Sequence, residues 1–450
     1  MARTGGRDQQ NTARAHSETN FMIFFTSRKK VEINFQSYNT TFQPPPPNKS
    51  SELLPLNRIY CCGAFEFVQI GRALALAGLR DVLQVIPEAQ ITSRNDFPKL
   101  LGVSNRGELE RYLYVSGVVN TIDDKIITPE AANLGKQISD LRSKRIRIAI
   151  FNGLGSGIGD TIMGLTALSK VRDLIAKVAE PSFEVIYSRE PYSRLAQIYQ
   201  HTTLVDKVHI APLTLKQLID FDAIFDTGGM ANRQDFEKMA AVDFFLKYFG
   251  LNPIEIPDNE KRNTLIQLAP DNELKKSIQE IRNDNPDKKL ILFHPKASTE
   301  LRTIPDEYIE EIVQYLGGIK KYILVAVVPL PGKDLPITNL SSQCRSFKDL
   351  CFVIGQMDGV FTVDTSIYHI ADCFSIPTVV WFTSINPDLM ARSYPTVKGI
   401  LLDGAEQTKL RNKHFLGESD NLGDVEKLWG DLDLDKSVSE LESLCAVKNT

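Results

Sequence analysis

Across 450 residues, 42% hydrophobic and 24% charged side chains amount to ordinary globular material, enough for two or three cores rather than one. A net charge of −4, from 52 basic and 56 acidic residues, sets up no global field toward nucleic acid or an anionic membrane. No apolar run approaches the roughly 18–20 residues of a membrane span, and no secretory leader is read at the N-terminus. The six cysteines, at 61, 62, 344, 351, 373 and 445, form no CxxC pair. The expectation is a reduced, cytoplasmic protein with at most peripheral membrane contact and no nucleic-acid partner.

Residues 1–50 are polar and end in the run Pro44–Pro47, which favours polyproline II; they read as a flexible leader. Within them FMIFF and RKKVEINF are candidates for a strand pair. From 51 to 140 the pattern turns mainly helical. FEFVQIGRALALAGLRDVLQVI repeats apolar residues at helical spacing, and the stretch from Leu101 reads as helix, turn, helix, hairpin, helix. That is the order of a winged helix, with the hairpin turning near Asp123–Asp124. Glu108 and Glu110 on its second helix oppose DNA binding, so this module is expected to contact protein or to support its neighbour.

At Arg145 the chain begins to alternate. IRIAIFN, FEVIYS, VDKVHI and FDAIFDTGG read as strands, separated by helices at TIMGLTALSKVRDLIAKV, near Arg194–Tyr199 and near Leu215–Leu218. VDFFLKYFGL closes the unit as an amphipathic helix. The polar stretch Pro270–Lys288 is the expected linker. Beyond it KKLILFHP, KKYILVAVVPL, GVFTVDT and IPTVVWFT alternate with IPDEYIEEIVQYLGG, SFKDLCFVIGQM and SIYHIADCF. Such alternation implies right-handed crossovers and parallel sheets. The expected domains are Rossmann-like units at 145–270 and 286–404, followed by an acidic, helical tail at 405–450.

Three stretches carry candidate chemistry. The first is GLGSGIGD, where Gly155, Gly157 and Gly159 let the backbone turn sharply at a strand end before Asp160. Asp160 reads either as an ordinary helix cap or as a general base. The second is HPKASTELRTIP, whose Lys296, Ser298 and Arg302 are of the types that reach phosphate oxygens; Lys296 reads equally well as solvated loop charge. The third is VDTSIYH. Here a strand ends at Asp364, and Thr365 and Ser366 open a helix whose unpaired N–H groups suit a diphosphate. His369 lies one turn further on, on the same face as Thr365.

In this order the three stretches resemble the heptosyltransferases of glycosyltransferase family nine, over about Arg145–Gly404. Gly159-Asp160 matches the family's G-D helix start, whose aspartate is the catalytic base. HPKAS resembles its H-P-G-x-S, with Lys296 in place of glycine. Arg302-Thr-Ile-Pro resembles its K/R-x-W-P, with Ile304 in place of tryptophan. Asp364-Thr-Ser-Ile-Tyr-His369 resembles its D-T-G-x-x-H, with Ser366 in place of glycine. IPTVVWFTSINP resembles its P-T-V-x-L-F-G-x-T-x-P, with Phe382-Thr-Ser lacking the glycine.

The resemblance implies an α/β fold of GT-B type, two Rossmann-like domains facing a cleft, here with an extra, mainly helical N-terminal module. It implies inverting, metal-independent transfer from a nucleotide-sugar, with no further cofactor. Asp160 would be the base, and Lys296, Ser298, Arg302, Asp364, Thr365, Ser366 and His369 would bind the donor. No DxD-like pair stands where a metal-dependent enzyme would need one. Asp123–Asp124 reads as a turn and DLDLD at 431–435 as a solvated acidic loop. The acceptor is left open among glycan, lipid-linked and protein hydroxyls. Two alternatives remain: an inactive GT-B-like binding protein whose N-terminal module meets a protein partner, and a nucleotide-sugar epimerase.

Overall fold

Short β-branched runs separated by amphipathic helices cannot pair as hairpins, and they close instead as parallel sheets with helices over the faces. The computed structural model describes residues 22–27, 31–34, 51–54, 59–63, 83–85, 144–151, 153–155, 157–187, 193–210, 221–227, 238–270, 272–414, 416 and 420–448. The chain forms two compact units, Met1–Val119 with Pro212–Ile219, and Asn120–Ala211 with Asp220–Thr450.

In the first unit the described residues are strands: β1 (Met22–Ser27), β2 (Val31–Asn34), β3 (Ser51–Leu54), β4 (Ile59–Gly63) and β5 (Leu83–Val85). The two expected strands in the leader form, but not with each other. β1 lies between β4 and β5, antiparallel to both, and β2 pairs antiparallel with β3. Pairing across position 50 ties the leader to residues 51–85. Leu83–Val85 is a strand within a stretch of helical spacing. The Pro44–Pro47 run, the remainder of the helical reading of 51–140 and the winged-helix order lie outside the described residues, as does the helix expected near Leu215–Leu218.

The second unit holds two Rossmann-like halves. The first runs β6 (Arg145–Phe151), α1 (Ile158–Ile175), β7 (Glu180–Tyr187), α2 (Ser193–Ile198), β8 (Lys207–Ile210), β9 (Ala223–Asp226) and α3 (Ala241–Tyr248). Its sheet is parallel, in the order β8-β7-β6-β9. Alternate residues Ile146, Ile148 and Ile150 of β6 are fully buried in one core with Ile162, Leu165, Leu168 and Val171 of α1. α1 approaches Leu154 and α3 closely at Gly164, where a Cβ would lie 2.7 Å from Leu154 Cβ.

The second half runs α4 (Asn272–Asp284), β10 (Lys289–His294), α5 (Asp306–Gly317), β11 (Tyr322–Ala326), β12 (Thr338–Asn339), α6 (Phe347–Gly355), β13 (Gly359–Val363), α7 (Ser366–Cys373), β14 (Thr378–Phe382), α8 (Pro387–Ala391), β15 (Val397–Leu401), α9 (Gly423–Glu426) and α10 (Leu434–Lys448). Its sheet order is β12-β11-β10-β13-β14-β15, all parallel. Counted within the half this is 3-2-1-4-5-6, the order of a doubly wound nucleotide-binding sheet.

One expectation needs correction. The polar stretch expected as a linker is mostly helix α4. Its Leu274 and Ile278 are buried, and Arg282 pairs with Asp358 at 2.6 Å, so it belongs to the second half. Its polar composition misleads because only one face is covered. The tail, in turn, completes this half's core. α10 packs on β13, β14 and β15. Leu441 is fully buried, Trp381 Nε1 donates to Ser437 Oγ at 3.0 Å, and Glu442 pairs with Lys289 at 2.7 Å. Asp433 is exposed and accepts from Lys436 N at 2.8 Å, capping α10. Among the described residues no helix is long and apolar enough to cross a membrane.

Candidate functional site

In a doubly wound sheet, the crevice opens at the carboxyl ends of the two strands where the order reverses. Those strands are β6 and β9 in the first half, and β10 and β13 in the second. The three stretches read from the sequence are the loops that follow β6, β10 and β13. Topology alone therefore puts them at the two switch points.

After β6 the chain turns through Gly153 and Gly155, both at positive φ (77° and 98°). Thr227, just beyond β9, donates to the Gly153 carbonyl at 2.8 Å and ties the two sides of the crevice together. Gly155 has two reasons to be glycine: its φ, and Asp160 Cβ, which would overlap any Cβ placed there. Asp160 is the third residue of α1, and its Oδ2 accepts from Gly157 N at 3.0 Å. The aspartate thus does cap the helix, and the same bond fixes its carboxylate at the mouth of the crevice.

The loop after β10 is held by its own hydroxyls. Ala297 N donates to Thr303 Oγ1 at 3.0 Å, and Thr303 Oγ1 donates to the Thr299 carbonyl at 2.9 Å. Arg302 is held by three groups: Nε to Thr299 Oγ1 (3.2 Å), Nη2 to Ser298 Oγ (2.8 Å) and Nη1 to Asp364 Oδ2 (3.3 Å). Asp364, almost fully buried, also accepts from Tyr368 Oη at 3.1 Å. Its two oxygens are therefore engaged by Arg302 and Tyr368, and the carboxylate orients the guanidinium across the switch point. Lys296 is turned away into a pair with Asp306, on the first turn of α5, at 2.5 Å. Thr365 caps α7 in extended conformation with no side-chain hydrogen bond, and Ser366 is the first helical residue.

His369 joins the halves. It is buried, and a Cβ added to Gly159 would meet its Cδ2 at 2.7 Å and its Nε2 at 3.0 Å. The start of α1 thus rests on the imidazole of α7, with Asp160 the next residue along. Burial and, to a lesser degree, Arg302 pull the imidazole pKa down to about 3, so it is neutral. Its Nδ1 is 2.9 Å from Tyr394 Oη. Beneath it lies Asp372, fully buried and pushed up to about 6 by that burial against the opposing pull of Asn263 and Arg262. Asn263 N donates to Asp372 Oδ2 at 2.9 Å, and Thr166 Oγ1 of α1 donates to Asn263 Oδ1 at 2.7 Å. The crossing segment is thereby bonded to α1 on one side and α7 on the other.

Asp160, Gly155, Gly157, Gly159 and His369 therefore stand together, as do Ser298, Arg302, Asp364 and the α7 start. Lys296 is tied to Asp306. Tyr394, Asp372, Asn263 and Thr227 escape a reading of the sequence, because none shows a spacing relation to the motifs. At the glycine-deficient stretch after β14, Thr383 Oγ1 donates to the Leu301 carbonyl at 2.6 Å, and Ser384 Oγ accepts from Lys413 N at 3.0 Å. Those side chains anchor the loop before α9 beside Arg302. Among the described residues no group of three or more His, Cys, Asp or Glu is placed to hold a metal ion.

No family model matches the chain, and no curated protein matches it. Among solved structures it is similar to a family 9 glycosyltransferase of Veillonella parvula DSM 2008, at 14% identity and TM-score 0.46, over 67% of this chain and 97% of that one. It is similar to the E. coli ADP-heptose LPS heptosyltransferase II, at 13% and 0.45, over 68% and 100%. It is also similar to the iron-containing dodecameric glycosyltransferase TibC of enterotoxigenic E. coli H10407, at 13% and 0.43, over 67% and 77%. All three are named as glycosyltransferases. At such identities function has to follow from this chain's own residues.

Proposed function

We propose that the second unit is an inverting glycosyltransferase that takes a nucleotide-diphosphate sugar as donor and needs no metal. The observation that carries this reading is the meeting of the two switch points, with Asp160 at the mouth of α1 adjoining His369 of α7 through Gly159. Asp160 takes the proton of the acceptor hydroxyl as that oxygen attacks the anomeric carbon. Arg302, the N–H groups at Thr365–Ser366 and neutral His369 meet the negative charge that grows on the departing diphosphate. Groups already oriented before reaction stabilise that charge without reorganising. The Arg302–Asp364 pair suits this role, because the guanidinium is held in place yet is not fully covered. The acceptor, whether glycan, lipid-linked or protein, enters from the glycine-rich side.

The test is a thermal-shift screen of ADP-, GDP-, UDP- and dTDP-sugars on the full chain and on Arg302→Ala. A ligand bound only by the folded state raises Tm by mass action. One nucleotide should give a clear shift that Arg302→Ala diminishes, and the product formed with an acceptor should carry inverted configuration. A retained configuration would overturn the mechanism.

A second reading, a binding protein without transfer chemistry, is favoured by one observation: Lys296 is consumed by Asp306 and the loop beyond β14 is filled by Thr383 and Ser384. The absence of any nucleotide-dependent shift would select it. A donor epimerised at C2 without acceptor would select the epimerase instead.

A further inference from the structure

A neutral imidazole can present either an N–H or a lone pair at Nε2, and which one is decided by what Nδ1 bonds to. Tyr394 comes from the segment between α8 and β15, a different element from α7, and stands edge-on to the imidazole with ring centres 5.6 Å apart. Its hydroxyl is 2.9 Å from His369 Nδ1. Among the described residues this is the one well-formed hydrogen bond of that hydroxyl. A buried phenol proton left without an acceptor costs the full desolvation of an O–H group, so the hydroxyl has to donate to Nδ1.

The donor count around it points the same way. Asn263 turns its Oδ1 toward Thr166 Oγ1 at 2.7 Å, which aims Nδ2 at the opposite side. The amide lies against Tyr394, and its Nδ2 makes no well-formed hydrogen bond among the described residues. This corner already has one donor too many. A proton on Nδ1 would add another, facing a phenol that already holds its own. Burial and the neighbouring Asp372 keep that phenol protonated.

We propose that Tyr394 is a positioning residue that fixes His369 as the Nε2–H tautomer and aims that N–H past Gly159 at the mouth of α1. This deepens the transferase reading and rests on it for its purpose: the imidazole is then a hydrogen-bond donor toward the leaving diphosphate. Without the phenol the ring samples both tautomers, and in one of them a lone pair faces the developing negative charge.

The tautomer can be read without any substrate. The full chain is labelled with nitrogen-15 at its six histidines, and the His369 signal is assigned by its loss in His369→Gln. At neutral pH wild type should show a pyrrole-type Nε2 and a pyridine-type Nδ1. Tyr394→Phe, which keeps the ring, should move both shifts toward a tautomer average. A pyrrole-type Nδ1 in the wild type would overturn the proposal, and so would unchanged shifts in a folded Tyr394→Phe.

The functional arm uses the nucleotide-sugar that gives the largest thermal shift. Tyr394→Phe should lower kcat by up to the roughly 10²-fold that loss of one such donor costs, with KM little changed, and should add nothing in a His369→Gln background. An effect on KM alone, or full additivity, would refute it. If no nucleotide binds, the transferase reading fails while the tautomer result still decides the positioning of His369.

Discussion

The two switch points reach the same end by opposite means. In the first half the loop is shaped by missing side chains: Gly155 makes room for Asp160, and Gly159 makes room for His369. In the second half the loops are shaped by side chains bonded to one another, with Arg302 gripped by Ser298, Thr299 and Asp364, and Asp364 by Tyr368. A site made of space is spoiled by adding an atom, and a site made of bonds by removing one. The room left by the glycines is filled by Asp160 and His369, so the first loop is fixed by close contact and the second by its hydrogen bonds.

The largest effect should come from the bonded side. Asp364→Ala strips the near-buried partner of Arg302 and Tyr368, and removing one member of such a pair costs about 3–5 kcal/mol. Denaturant unfolding checks it, and a loss below about 1 kcal/mol would mean that Arg302 is held adequately by the two hydroxyls alone. On the spatial side, Gly159→Ala forces a methyl into the His369 ring, and overpacking of that kind costs about 1–3 kcal/mol. Combining Gly159→Ala with His369→Ala should restore much of it. If stability is not recovered, the contact between the halves is not what the glycine serves.

The pH dependence separates the two buried titrating groups. Folded His369 stays neutral down to about 3, against 6.5 when unfolded, so its contribution is lost as pH falls through that window. Asp372 has the opposite sign. Its folded pKa, about 6, exceeds the ordinary 3.8, so its contribution is lost as pH rises between them. Each changes the slope by at most about 1.4 kcal/mol per pH unit. They oppose each other between about pH 4 and 6. His369→Gln should therefore steepen the loss of stability with rising pH there, and Asp372→Asn the loss with falling pH. Urea melts across that window check this, and variants parallel to wild type would contradict it. The smallest effect belongs to Lys296→Ala, whose pair with exposed Asp306 is worth about 0–1 kcal/mol. If nucleotide binding falls with it, the lysine does reach the donor.

Legibility in the sequence follows periodicity and strand-end chemistry. β10, β13 and β14 are readable because continuous apolar runs end in small polar residues, and α1 because a glycine turn precedes an apolar helix. The same signals locate Asp160, Arg302 and His369. Helix α4 is not legible, since a surface helix with only Leu274 and Ile278 firmly buried reads as polar linker. Tyr394 and Asn263 act on His369 from distant segments, and no local pattern marks a residue whose partner is a fold away. The pairing of β1 with β4 and β5 rather than with β2 is hidden for the same reason.

The seat of α10 on the second sheet has a consequence for synthesis. Trp381 Nε1 on β14 donates to residue 437, and Lys289 on β10 pairs with residue 442. Domains fold largely in the order in which they leave the ribosome, and the first half holds its own strands and helices by Tyr248. The second half has to wait for part of the cover on one face of β13, β14 and β15 until α10 has been made. A premature stop shortly before Leu434 would release a chain whose first half is finished and whose second lacks the α10 cover over β13, β14 and β15, a natural target for chaperones.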